Sequence, residues 1–149
     1  MTALGHAALR HLALKVMAQH AGPAAGAEAL LAAAQRAYDD VARVSAPLIG
    51  DVGVEALTGR AVHLAQREYP WLVHRREPEQ AEGPFASLKT CLERQDPAVA
   101  SECVGAVLAT FMGLLVTFIG EPLTAGILRK AWPAAFSDAH TSDERRVET

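Results

Sequence analysis

The sequence predicts an all-α protein, a compact bundle of five to six helices. Three observations lead there. No stretch alternates apolar and polar residues with period two, apolar residues recur three and four apart, and turn signals separate segments of helical length. Half of the residues are hydrophobic yet only 5% are aromatic, so alanine, leucine and valine carry the apolar content, as suits closely packed helices. With 149 residues the chain has about the length of one domain, assigned to residues 1–136, followed by a polar tail, 137–149, expected to be flexible.

The first helix is expected over about Ala3 to Gln19. Leu4, Ala8, Leu12 and Val16 recur every fourth residue, and Gly22-Pro23 ends the run. A second helix, about Gly26 to Val44, carries Leu30, Leu31, Ala34, Tyr38 and Val41 on one face. Ser45-Ala46-Pro47 is expected to interrupt it, because proline lacks a backbone donor and restricts the residue before it, with Leu48-Ile49-Gly50-Asp51 as a bent continuation or a short turn. A third helix, about Val52 to Glu68, closes at Tyr69-Pro70. Residues 74–83 are polar and read as a loop. Pro84 then opens a helix through about Arg94.

Asp96-Pro97 is a helix start, a capping acceptor followed by proline at the first helical position. The helix it opens contains the uncharged run Cys103–Gly120. Gly105, Ala109, Gly113 and Thr117 fall four apart and make a ridge of small residues. A helix apolar all round must be enclosed by a core, an oligomer interface or a bilayer. Glu102 and Glu121 bracket the run without a nearby lysine or arginine, and the neighbouring helices are amphipathic, which favours the central post of a soluble bundle over a membrane span. Gly120 ends this helix, Glu121-Pro122 opens a short one through Ala131, and Trp132-Pro133 stops it.

An internal echo accompanies these signals. Ile49-Gly50-Asp51, Leu57-Thr58 and Tyr69-Pro70 are answered by Ile119-Gly120-Glu121, Leu123-Thr124 and Trp132-Pro133. The first set is longer by about two helical turns. The pattern is compatible with two related helical hairpins around a pseudo-twofold axis, with chance similarity as the alternative.

Chemistry has little to work with. The formal net charge of −3 leaves no basic surplus for a phosphate backbone, so nucleic acid is not an expected partner. The start of the chain lacks an apolar segment of signal-peptide form, and a cytoplasmic location is expected. Cys91 and Cys103 are too few for a disulfide framework. His6 and His11 lie five apart, off one helical face, and no H-x-x-x-H, C-x-x-C or E-x-x-H pattern occurs; no metal or cofactor is expected. No nucleophile elbow or phosphate-binding loop is present, and the chain is not expected to be an enzyme.

These readings point to a non-enzymatic interaction or sensory-regulatory module, working through homodimerisation or docking of a protein partner. Its candidate interface residues are Gly105, Ala109, Gly113 and Thr117 of the ridge, with Trp71 and Trp132 at the aromatic-proline ends. The alternative is a carrier or sensor of an apolar ligand or haem, in which Phe111, Met112, Leu115 and Phe118 would line a pocket and His63 would be the axial ligand. The stretches V-G-A-V-L-A-T-F-M-G and I-L-R-K-A-W-P-A-A-F faintly resemble the last two globin helices. Pro133 interrupts the second of them, and no pocket phenylalanine pairs with a proximal histidine, so no family is assigned. A membrane-associated helical protein is the third reading.

Overall fold

The computed structural model describes residues 5–21, 26–72 and 89–136. Among them every element is a helix: α1 (His6–Ala21), α2 (Ala27–Glu68), α3 (Lys89–Glu93), α4 (Pro97–Ile119) and α5 (Glu121–Ala131). A further helical turn covers 133–136, beyond Trp132-Pro133. The fold is an all-α bundle, and α2 is sharply bent, so its two arms, 27–49 and 51–68, count as separate rods and bring the bundle to about six helices. The loop and tail expected at 74–83 and 137–149 lie outside the described residues, as do residues 84–88 of the helix expected after Pro84.

The break in α2 falls at Gly50, inside the Leu48-Ile49-Gly50-Asp51 segment read as a bent continuation or turn, and not at Ser45-Ala46-Pro47. Ser45-Ala46-Pro47 does not interrupt the helix, although Pro47 forfeits one hydrogen bond of the ladder. Ser45 is buried and donates from Oγ to the Val41 carbonyl at 2.6 Å, satisfying its hydroxyl inside the helix. The chain bends instead at Gly50, with φ 79° and ψ 159°. Gly120, between α4 and α5, has φ 92° and ψ 159°. That corner of backbone space is open to glycine and closed to residues with a Cβ.

The two bends resemble each other in their surroundings. Each follows a helical arm of 23 residues, 27–49 and 97–119, and they stand seventy positions apart. Buried positions repeat with the same offset. Ala33, Ala34, Ala37, Val41 and Ser45 match Cys103, Val104, Val107, Phe111 and Leu115, and beyond the bends Val54, Thr58 and Ala61 match Thr124, Leu128 and Ala131. Each unit ends alike as well. Tyr69 and Trp132 leave the helix at φ −124° and −128°, each donating its backbone N–H to the carbonyl four residues earlier. A turn then follows proline, closed by Leu72 N–H to Tyr69 C=O and Ala135 N–H to Trp132 C=O.

The arms show how the units face each other. Trp132 lies 12 residues beyond Gly120, and its indole Nε1 donates to the carbonyl of Ala37, which is 13 residues before Gly50, at 3.1 Å. Tyr69 lies 19 residues beyond Gly50, and its phenol lies near Glu102 and Cys103, 18 and 17 residues before Gly120. Each arm therefore descends beside the other unit's long helix, by matching lengths. Both glycine bends must then sit at the same end of the bundle, with 27–49 and α4 roughly parallel.

α4 is the centre. It packs against α1, both arms of α2, α3 and α5, and its buried residues run from Ala100 to Leu115. α1 runs antiparallel to it. A Cβ added at Gly105 would lie 2.8 Å from Leu14 Cδ2, and one at Gly113 would lie 3.8 Å from Leu9 Cδ1. The small-residue ridge thus receives α1 of the same chain. α4 is also long and apolar enough to cross a membrane, and 56% of its most apolar window is buried by its own bundle.

Candidate interaction surface at the helix bends

The residues singled out in the sequence separate into an interior set and a surface set. Gly105 and Ala109 are buried under α1, Gly113 is half-buried beside Leu9, and Thr117 is exposed, its Oγ1 turned back to the Gly113 carbonyl at 3.1 Å. The ridge is therefore an internal helix contact along most of its length. Trp132 is also inside, where its indole closes α5 onto α2. Trp71 is half-buried and meets Tyr69 edge-on, ring centroids 5.7 Å apart.

The residues suggested for a ligand pocket do not converge. Phe111, Met112 and Leu115 are core, and the Phe111 ring packs edge-on against Tyr38 at 5.4 Å. His63 is exposed on the second arm of α2, not half-buried against these residues as an axial ligand must be. Phe118, one turn beyond Leu115, points out of the core and is 63% exposed. Among the described residues no group of three or more His, Cys, Asp or Glu side chains is arranged to hold a metal ion.

Polar chemistry gathers at one place the sequence did not mark. Arg10 of α1 donates from one terminal nitrogen to both carboxylate oxygens of Glu68, at 3.0 and 3.1 Å, and to the Tyr69 hydroxyl at 3.3 Å. The Glu68 hydrogen bond outweighs desolvation and raises the guanidinium pKa. Cys103 lies beneath this cluster, and burial, with the Glu68 charge adding, pushes its thiol up to about 12. A thiol so far from ionisation is not a nucleophile at neutral pH. The cluster is a latch holding the end of α2 against α1. A second clasp is buried in the core, where Thr58 Oγ1 donates to the Val54 carbonyl at 2.8 Å and shares a 2.7 Å hydrogen bond with Tyr38.

The surface set lies elsewhere. Four large apolar side chains stand exposed among the described residues: Leu48 at 56%, Val52 at 80%, Phe118 at 63% and Leu123 at 53%. All four lie within three residues of Gly50 or Gly120. Leu48 and Phe118 occupy equivalent positions in the two units. The four exposed side chains thus flank the two bends. The charges there are acidic, with Asp51 and Glu55 exposed and Glu121 half-buried. No lysine, arginine or histidine occurs from Val44 to Gly59 or from Gln95 to Leu128, and the contribution of α1 here is His6 at its start.

A turn of one residue between two helices leaves no loop to shield the last turn of one and the first turn of the next. Leu48, Val52, Phe118 and Leu123 are the exposed apolar members of those turns, while Ile49 and Ile119 are half-buried and Val54 is buried. Isolated apolar residues on a surface are ordinary, but four concentrated at one end are not.

Comparison with protein-family models, with curated proteins and with solved structures finds no match for the chain.

Proposed function

We propose that the chain is a non-enzymatic helical interaction module, cytoplasmic, that docks a protein partner on the end of the bundle carrying the two bends. The observation that carries this reading is the concentration of Leu48, Val52, Phe118 and Leu123 at that end, while the rest of the large apolar side chains described are buried or half-buried. A rigid platform suits such a role, since both bends are held by return arms anchored at Trp132 and Tyr69. Most of the small-residue ridge and Trp132 are committed to the interior, so the docking role moves from them to the bends.

Site-specific photo-crosslinking in the native cell tests the reading. A photoreactive residue at position 48 or 118 is expected to give the same discrete protein adduct, and one at Arg67, on the opposite stretch of α2, is expected to give none. Identical labelling from all three positions, or adducts only between copies of this chain, would reject partner docking; the latter result would establish homodimerisation instead.

A further inference from the structure

The two bends share a backbone conformation but differ in their freedom to straighten. Gly50 and Gly120 turn the chain at φ 79° and 92°, each as a joint of one residue between two helices. To run straight through such a joint, the three residues after the glycine must each donate to the carbonyl four positions back. At Gly120 those residues are Glu121, Pro122 and Leu123. Pro122 has no N–H, and its ring would meet the Phe118 carbonyl, so this corner stays a corner. At Gly50 the donors are Asp51, Val52 and Gly53, and the acceptors are Pro47, Leu48 and Ile49. All three pairs are able to bond, which would make α2 one continuous helix of 42 residues, about 63 Å long. Gly53 acts in the same direction. In the bent chain a Cβ at Gly53 would lie 3.3 Å from Ile49 Cβ, whereas Cβ atoms four positions apart on a straight helix stand about 5–6 Å apart. The bent form needs its two glycines; the straight form does not.

From this asymmetry we infer that Gly50 is a hinge through which two copies of this chain exchange halves. In the exchanged dimer α2 is straight, and each bundle joins α1 and 27–49 of one copy to 51–136 of the other. A second copy is the partner that fits. Straightening in a lone chain would pull the two arms apart, opening the core and separating Tyr38 from Thr58, which share a 2.7 Å hydrogen bond. Another copy offers the same surfaces in return. Tyr38 of one chain then meets Thr58 of the other, and Arg10 of one meets Glu68 of the other. Every contact outside the hinge is common to both forms, which makes the exchange a low-cost route to a dimer, and short joints invite it. The balance therefore rests on the hinge and on concentration. Ladder bonds gained at Gly50 favour exchange, and the lost freedom of two separate chains opposes it.

The test is refolding of the full chain from urea at low and high protein concentration, read by gel filtration with light scattering. The wild-type chain is expected to give monomer at low concentration and an additional dimer at high concentration. Dilution should return that dimer to monomer slowly, because the halves must come apart first. Gly50→Ala escapes its positive φ only in the exchanged form and is expected to raise the dimer-to-monomer ratio roughly tenfold or more. Gly53→Ala is expected to raise it as well. Gly120→Ala strains its bend equally in both forms and is expected to leave the ratio unchanged. The distance within one copy is read from spin labels at Arg36→Cys and Arg60→Cys in a Cys91→Ser/Cys103→Ala background, refolded with excess unlabelled chain. Both positions are exposed in the native chain. A straight helix separates them by about 36 Å along its axis, whereas the bent chain keeps both beside the Tyr38–Thr58 pair.

A dimer with the long distance, enriched by Gly50→Ala and not by Gly120→Ala, is the expected result. A dimer in which the distance between positions 36 and 60 stays short is an association of bent chains and overturns the inference. So does a dimer fraction raised equally by Gly120→Ala, or monomer alone from wild type, Gly50→Ala and Gly53→Ala at every concentration. If Gly50→Ala does not fold, the wild-type chain and Gly53→Ala decide by the same two readouts. The docking role proposed above does not enter this argument and is judged by its own crosslinks.

Discussion

Two glycines in the same ridge do different work. Gly105 permits a contact that a Cβ would violate, because the added atom would sit 2.8 Å from Leu14 Cδ2 and 3.3 Å from its Cγ. Gly113 faces Leu9 at 3.8 Å, an ordinary van der Waals distance. Alanine gains roughly 0.5–1 kcal/mol over glycine within a helix. Gly113→Ala should keep most of that gain, whereas Gly105→Ala should lose it and more to displacement of Leu14, leaving the first variant about 1–2 kcal/mol more stable than the second. Urea denaturation measures the difference directly, and the reverse order would show that α1 does not rest on this part of α4. The spacing of the ridge was readable from the sequence. Which glycine is tight was not, because that depends on where a leucine from a distant helix lands.

Helices were more legible than their joints. The start at Pro97, the end at Gly120 and the short helix after it follow from capping and proline rules and are found where those rules place them. The bend of α2 was legible only in part, because Pro47 is the louder local signal while the conformation that decides the direction belongs to Gly50, in the segment read as a bend or turn. Proline removes one hydrogen bond, but a positive φ redirects the chain. Asp96 also departs from expectation, since it precedes α4 without a side-chain capping hydrogen bond. Alanine at either bend tests the assignment. No atom lies within 4 Å of a Cβ built at Gly50, and at Gly120 the nearest is Pro122 Cδ at 3.9 Å, so crowding is not the issue. Each substitution should nevertheless cost on the order of 1–3 kcal/mol through backbone strain alone. Thermal melts of Gly50→Ala and Gly120→Ala should show similar losses; a neutral outcome at one would show that its bend is not held in this conformation.

At the scale of the whole molecule, the two bent segments are alike in geometry more than in residues. Matched interior positions are complementary in size, not alike: Ala33, Ala37 and Ser45 answer Cys103, Val107 and Leu115. Two parallel helices that interlock can pair lean positions with bulky ones, which leaves little likeness between them in sequence. The docking end was invisible for a related reason. Leu48, Val52, Phe118 and Leu123 look like core residues until the bends turn them outward. Burial also sets a pH limit on the assembled fold. Cys103 is pushed up to about 12 from an ordinary 9.0, chiefly by desolvation, and burial raises Tyr38 in the same direction. Both groups favour their neutral forms in the native state: the contribution of Cys103 is fully present below pH 9 and is lost as pH rises towards 12, and that of Tyr38 is lost only above pH 10. Cys103 can remove up to about 1.4 kcal/mol per pH unit in its window. Melting temperature should therefore fall steeply above pH 9, and less steeply in Cys103→Ala. A thiol reagent at pH 8 should modify Cys103 in the denatured chain and spare it in the native one.

The equal 23-residue arms act as a ruler. One residue inserted into 27–49 would rotate Gly50 by about 100° around the helix axis and raise it by 1.5 Å. The second arm of α2 would then leave in a direction where α4 is not waiting, and the two corners would no longer lie level. The return arms are under no such metric. One spans 51–68 and the other Glu121–Ala131, and the fold already accommodates both lengths. A scan of single-alanine insertions should therefore divide the chain sharply. Insertions between the helix starts and the glycines should abolish folding, and insertions into the exposed faces of the return arms should be survivable.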